Sequence, residues 1–259
     1  MKKELVKIQN LNLIYQSIDS ETTALENVNL SIFNQEFISI VGPSGCGKTT
    51  ILSLISGLIK PTSGTVEING KFPTPKDDIT GYMFQRDNLL PWRNIEKNIW
   101  FGLEIKGKLT HDRKSYAVAL AEKYGLKDFL KKHPSELSGG MRQRVALIRT
   151  LALKPELLLL DEPFSALDYQ TRLELCDHVF EIIKKENKTA ILVTHDIQEA
   201  ISMSDRIIVL TSRPGKIKAV HETNFNPKLS PFERRKTKKA KELFDIIWQE
   251  IQNEKQDKI

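Results

Sequence analysis

The octapeptide Gly42-Pro-Ser-Gly-Cys-Gly-Lys48-Thr49 constrains the fold more than any other stretch, because of what stands on either side of it. Phe37 to Val41 precedes it as an apolar strand, and Thr49 to Leu58 follows with the pattern of an apolar helix, stopped by Gly57, Pro61 and Gly64. The pattern GxxxxGK[ST] between a strand and a helix lets glycines turn backbone N–H groups inward, so that they cradle an anion at the helix N-terminus. Lys48 then sets a point charge on the β and γ phosphates of a nucleotide, and the Thr49 hydroxyl can ligate Mg²⁺. An incidental glycine-rich turn is disfavoured, since a lysine there would face a positive helix end without compensation.

A second element answers the first. Leu157 to Leu160 is an apolar run that ends in Asp161 and Glu162. Apolar strands alternating with helices, here including Tyr169 to Glu186 and Ala190 to Thr194, predict a parallel sheet covered on both faces. Carboxylates at the C-terminal edge of such a sheet emerge where ligands bind. Asp161 is expected to hold the metal, through water, and Glu162 to orient or deprotonate an attacking water. Without the phosphate loop, two acids before Pro163 read equally well as a solvated strand end.

Four further features are ambiguous alone. Gln85, after the apolar strand Ile79 to Phe84, can reach a metal or water or be an ordinary surface residue. His195 can touch a γ-phosphate or be structural, and Tyr15 can stack on adenine or simply pack. Leu137-Ser138-Gly139-Gly140 opens a helix with N–H groups for an anion, and equally makes an acceptable N-cap.

Charge and composition remove other classes. The net charge of +6 sits mostly in the tail, where residues from Arg213 onward carry 12 Lys+Arg against 7 Asp+Glu, while residues 1–212 hold 27 against 26. A nearly neutral body argues against a basic nucleic-acid groove. The two cysteines, Cys46 and Cys176, make neither a disulfide framework nor a CxxC zinc site, and a reducing compartment is expected. The start lacks a signal peptide's apolar core, and the most apolar stretch, Phe37 to Ile59, is interrupted by Lys48.

Taken together, the loop at 42–49, Gln85, Leu-Ser-Gly-Gly-Met-Arg-Gln-Arg at 137–144, Asp161 and Glu162, Ser165-Ala166-Leu167-Asp168 and His195 resemble the ordered motifs of the ATP-binding subunits of ABC transporters. The resemblance spans about residues 4 to 215. It implies an α/β fold, a P-loop NTPase (ABC ATPase) core with a mostly parallel sheet, an N-terminal antiparallel β-subdomain and a helical subdomain. That subdomain is expected at about 87–150, where the periodicity is helical from about Asp87 to Pro134 and clearest over Arg113 to Tyr124, within an ATP-binding domain of residues 1–215, with a basic, largely helical tail over 216–259.

The same resemblance implies ATP and Mg²⁺ as cofactors. ATP would be held by Tyr15, the loop residues Gly42, Pro43, Ser44, Gly45, Cys46, Gly47, Lys48 and Thr49, then Thr50 and Gln85, with Ser138, Gly139, Gly140 and Asp168 supplied across a head-to-tail dimer of two copies. The metal would be held by Thr49, Gln85 and Asp161, and the catalytic groups would be Glu162, His195 and Lys48. Transmembrane permease subunits, and through them an extracellular solute-binding protein, are the implied partners, at the cytoplasmic face of the membrane and without nucleic acid.

Asn88-Leu-Leu-Pro-Trp92, Asn98-Ile-Trp-Phe-Gly102, Thr171-Arg172, Thr194-His-Asp-Ile-Gln-Glu-Ala200 and Ser212-Arg-Pro-Gly-Lys-Ile217 are similar to importers of nitrate, sulfonates, taurine and thiamine pyrimidine precursors. The competing reading is an ABC-type ATPase acting on nucleic acid or in translation; a non-hydrolysing scaffold and an exporter subunit are further rivals. Two departures from the family pattern stand out. Gln35-Glu36 replaces Gly-Glu, which bears on the turn at 34–36 because Gln takes positive φ less freely, and the signature helix reads Ile148-Arg-Thr-Leu151. In the tail, Leu243, Phe244, Ile247, Trp248 and Ile251 follow a basic cluster at helical spacing. That face either packs on its own domain or meets a membrane or partner.

Overall fold

The computed structural model describes residues 3–17, 20–165 and 167–256. The basic start Met1-Lys2 and Ala166 lie outside the described residues. The chain divides into two compact units, residues 1–77 with 183–259, and residues 78–182.

In the first unit, β1 (Glu4–Gln16) pairs antiparallel with both β2 (Glu21–Phe33) and β4 (Ser63–Ile68), so that β1 is the centre of a three-stranded sheet. Alternation along β1 and β2 buries Val6, Ile8, Leu25, Val28 and Ile32 on one side, as a half-covered antiparallel sheet requires. Both strands run beyond the apolar stretches Leu5–Ile8 and Val28–Phe33, because in their outer halves single buried residues such as Leu11, Leu13 and Leu25 are interspersed with polar ones that the ladder pairs.

The second sheet of this unit centres on β3 (Phe37–Val41), flanked in parallel by β7 (Thr189–Val193) and β8 (Arg206–Leu210), with β9 (Ile217–Glu222) antiparallel on β8. All five residues of β3 and of β7 are buried, which explains why they read as continuous apolar runs. The turn before β3 is sharp: Gln35 does adopt a positive φ of 61°, and its N–H donates to Thr189 Oγ1 at 2.9 Å. A glutamine thus occupies the conformation that glycine takes most easily, at a cost of about 1 kcal/mol.

The tail folds back on this unit. After α7 (Pro231–Arg235), α8 (Lys238–Gln256) buries Ala240, Leu243, Ile247 and Ile251 against Ile197, Ala200 and Ile201 of α6 (Ile197–Met203) and Ile207 and Val209 of β8. The apolar stripe therefore packs on its own unit, with Phe244 and Trp248 stacked along its margin.

The second unit holds the parallel pair β5 (Thr80–Met83) and β6 (Leu157–Asp161), and the helices α2 (Ile95–Ile105), α3 (His111–Lys123) and α4 (Gly139–Leu151). Asn94 and Thr110 cap α2 and α3 by accepting the N–H groups of Lys97 and Arg113. Residues 87–94 are not helical; there the buried Asn98 side chain replaces helical hydrogen bonds, accepting from Leu90 N–H and donating to Leu90 O, Arg93 O and Asn94 O. The chain returns to the first unit through α5 (Tyr169–Lys185), and α1 (Lys48–Ile55) belongs to that first unit.

Candidate active site

The first unit carries the anion seat. The loop leaves the C-terminal end of β3 and enters α1, whose N-cap is Gly47 with φ 97°. A Cβ there would stand 2.6 Å from Leu25 Cδ2, so only glycine fits both the backbone and the neighbour. The first turn of α1 holds no acidic residue and no side chain caps it, which leaves its N–H groups and positive end for an anion. Lys48, 8% exposed, donates from Nζ to Gly42 O and Pro43 O at 2.9 Å each. Cys46 beside it is buried, and burial pushes its thiol pKa up against the opposing pull of Lys48, so it is a packing residue in its thiol form.

Two sequence candidates join this seat. β7 lies beside β3 with Val193 opposite Ile40, so His195 emerges at the same carboxyl edge as the phosphate loop. Thr194 Oγ1 bonds Glu199 at 2.6 Å and accepts Asp196 N–H, while Asp196 caps α6. These anchors leave the His195 side chain exposed at the corner. Tyr15, 48% exposed on β1, has its hydroxyl 3.4 Å from Thr50 Oγ1 in α1, which sets an aromatic face near the start of that helix.

The second unit carries the carboxylates. Asp161, buried at the end of β6, accepts from Tyr82 Oη at 3.2 Å, and Glu162 Oε2 accepts from Gln85 Nε2 at 3.2 Å. Gln85 Nε2 also lies 3.2 Å from Ser165 Oγ, which donates to Glu162 O. Glu162 holds φ 45°, a left-handed conformation that costs a non-glycine residue about 1 kcal/mol. Gln143 of α4 fixes the backbone of Gln85 through its carbonyl, and Arg149 fixes the carbonyls of Asp87 and Asn88. Gln85 is therefore placed by Gln143 of α4 as well as by β5, and Arg149 holds the chain just after it.

Ser138 caps α4 by accepting Met141 N–H at 3.3 Å, and again no acidic residue sits in the first turn. Gly140 is packed so closely that a Cβ would lie 2.5 Å from Thr171 Cγ2. Asp168 accepts Thr171 N–H, and this hydrogen bonding from Thr171 holds its carboxyl below the ordinary range. Tyr82 and Arg149 were not singled out from sequence; the only signal for Tyr82 was a polar-tipped aromatic in the strand that precedes Gln85.

The comparisons decide what carries this arrangement. A sequence profile of the family described as ABC transporter matches residues 25–165, more than half of the chain. The chain belongs to the ABC transporter family. Within it, this ABC protein is 48% identical to an uncharacterized ABC transporter ATP-binding protein of Bacillus subtilis, over 97% of each chain. It is 40% identical to the nitrate import ATP-binding protein of Synechocystis sp., covering 82% of this chain and 80% of that one. A solved dimeric ATP-binding cassette, in a post-hydrolysis state bound to ADP and Pi, superposes with a TM-score of 0.72 at 33% identity, covering 86% of this chain and all of that one. The ABC protein is accordingly an ATP-binding subunit with ATPase activity, and its fold is the α/β P-loop NTPase fold of such cassettes. Among its described residues, no helix is long and apolar enough to cross a membrane.

Proposed function

We propose that this subunit couples ATP hydrolysis to import of a small solute of the nitrate, sulfonate, taurine or thiamine-precursor kind, working as a head-to-tail pair of copies beneath separate permease subunits. The observation that carries the reading is a second helix start with no acid in its first turn: α4 begins with Ser138, Gly139 and Gly140, and only the Ser138 hydroxyl caps it. One chain with two such starts, at α1 and α4, fits a pair in which the ATP held by one phosphate loop meets residues 138–140 of the other copy. The solved relative is a dimer, and the nitrate import relative supplies the importer class.

In this reading residues 1–215 carry the ATP-binding machinery, with the helical insertion of about 87–150, and 216–259 form the basic tail. Gly42 to Thr50 seat the phosphates and Tyr15 lies against the base. Glu162 accepts the proton of the attacking water, His195 steadies the γ-phosphate and Asp168 reports across the pair. The donor set of Thr49 hydroxyl, Gln85 amide and Asp161 carboxylate is all oxygen, as Mg²⁺ requires. When bound, the ion would neutralise charge on the β and γ phosphates.

Two outcomes test this. With Mg-ATP, a Glu162→Gln subunit is expected to run at twice its monomer mass in light scattering, and Ser138→Arg added to it is expected to return the monomer mass while ATP still binds. A monomer under all ATP concentrations would sink the paired arrangement. Trp92, 72% exposed after Gln85, is the natural aromatic anchor for the permease. Trp92→Ala is expected to cut co-purification with permease subunits by about tenfold, near 1.4 kcal/mol, without altering ATP binding by the isolated subunit; unchanged co-purification removes that surface from the interface.

A further inference from the structure

We propose that Arg213, carried on a connection that the C-terminal helix holds at Ser212 and Lys218, is a positioning residue that presets the phosphate loop for ATP; this rests on reading residues 42–49 as the ATP phosphate site. The segment Ser212-Arg-Pro-Gly-Lys-Ile217 joins β8 to β9 and carries none of the groups assigned to chemistry. The fold nonetheless lays it directly on the phosphate loop. Arg213 Nε donates to Gly45 O at 3.2 Å. Two residues on, Gly215 backs onto the loop so closely that a Cβ would stand 2.1 Å from Cys46 O. Its N–H donates to Ala24 O and its carbonyl accepts Glu26 N–H, at 2.9 and 3.1 Å, so its position is fixed from β2.

The Arg213 contact falls on a decisive peptide. The carbonyl of Gly45 and the N–H of Cys46 belong to one planar trans unit and point opposite ways. Cys46 N–H is directed to Pro43 O at 3.4 Å, and Pro43 O is one of the two carbonyls that receive Lys48 Nζ. Arg213 on one side and Pro43 on the other thus fix a single peptide plane, and with it the carbonyl that holds Lys48. A loop so fixed before the nucleotide arrives loses less freedom on binding.

The C-terminal helix holds this segment from its other side. Glu254 accepts Ser212 N–H at 3.0 Å and Lys218 Nζ at 2.7 Å. Lys218 Nζ also donates to Glu250 O, and His221 Nε2 lies 2.9 Å from Glu250 Oε2. Within the turn, Thr211 closes the hairpin by exchanging backbone and hydroxyl hydrogen bonds with Lys216. The last turns of α8 therefore clamp both ends of the β8–β9 connection, next to the residue that touches Gly45. This gives the tail a role in ATP affinity without any contact to the nucleotide.

The test uses the purified full chain, with ATP dissociation constants and steady-state KM and kcat for Mg-ATP, and thermal denaturation as the folding check. Arg213→Ala is expected to raise Kd and KM about fivefold with kcat within about twofold, the split of a residue that presets binding. Arg213→Lys, which keeps a donor of similar reach, is expected to recover most of the loss. Glu254→Gln is expected to raise Kd about twofold, and the two changes together no further than Arg213→Ala alone, since they act through one contact. Wild-type KM in Arg213→Ala, or fully additive effects, would overturn the proposal. Lys48→Ala is the control: if it binds ATP normally the phosphate site itself is misassigned, whereas its loss of binding beside a normal Arg213→Ala refutes the brace alone.

Discussion

Replacing Glu162 by glutamine is expected to lower kcat for ATP hydrolysis by about 10²- to 10³-fold while Kd for ATP stays within about threefold. The size follows from what the substitution removes. The amide matches the carboxylate in shape, retains an oxygen for the 3.2 Å hydrogen bond from Gln85 Nε2, and leaves the backbone bonds of Ser165 to Glu162 O unchanged. The left-handed φ of 45° is as accessible to Gln as to Glu. Only basicity and one negative charge are lost. The lost charge, if anything, favours an incoming polyphosphate, so binding holds while proton removal fails. Phosphate release under saturating Mg-ATP checks this, and turnover within tenfold of the wild type would transfer the base role away from Glu162. His195→Ala then becomes the informative variant.

Much of this was readable in advance because chemistry and local structure coincide at the same residues. β3, β6 and β7 are buried throughout, so they appear in the sequence as unbroken apolar runs, each ending at the residue that matters: Gly42, Asp161 with Glu162, and His195. Ser138 caps a helix by a short-range hydrogen bond that sequence spacing reports directly.

What sequence could not show depends on distant partners. β8 and β9 went unassigned: Ile207 to Leu210 are apolar, but β9 alternates exposed and half-buried residues and is held by its ladder to β8 and by Lys218 and His221 reaching α8. The non-helical start at 87–94 depends on the Asn98 amide reaching back to Leu90 and Arg93. Arg213 is exposed and unremarkable in sequence, and its contact with Gly45 spans 168 residues. The fate of the tail was open between two readings because an apolar stripe does not name its partner; Ile197, Ile201 and Ile207 do. Gln35 shows the converse, a residue type that predicts strain and a fold that imposes it, through β7 and Thr189.

Lys48→Ala is expected to weaken ATP binding by about 10- to 100-fold, since a charge-assisted hydrogen bond to phosphate in a sheltered site is worth roughly 1.5–3 kcal/mol. The ammonium donates to Gly42 O and Pro43 O and is nearly buried. A compact cation with three donors can keep those carbonyls and still offer a proton to an anion in the loop, whereas the planar guanidinium of arginine cannot repeat that geometry, so Lys48→Arg should not restore binding. Ligand-induced stabilisation measures the effect in one experiment. At ATP 100 times the wild-type Kd, binding adds about 2.7 kcal/mol, roughly 5–10 °C in Tm for a chain of this size. With Kd raised a hundredfold, the same ATP concentration adds about 0.4 kcal/mol, near 1 °C. A Lys48→Ala subunit that still gains the full wild-type shift would mean that residues 42–49 are not the phosphate site.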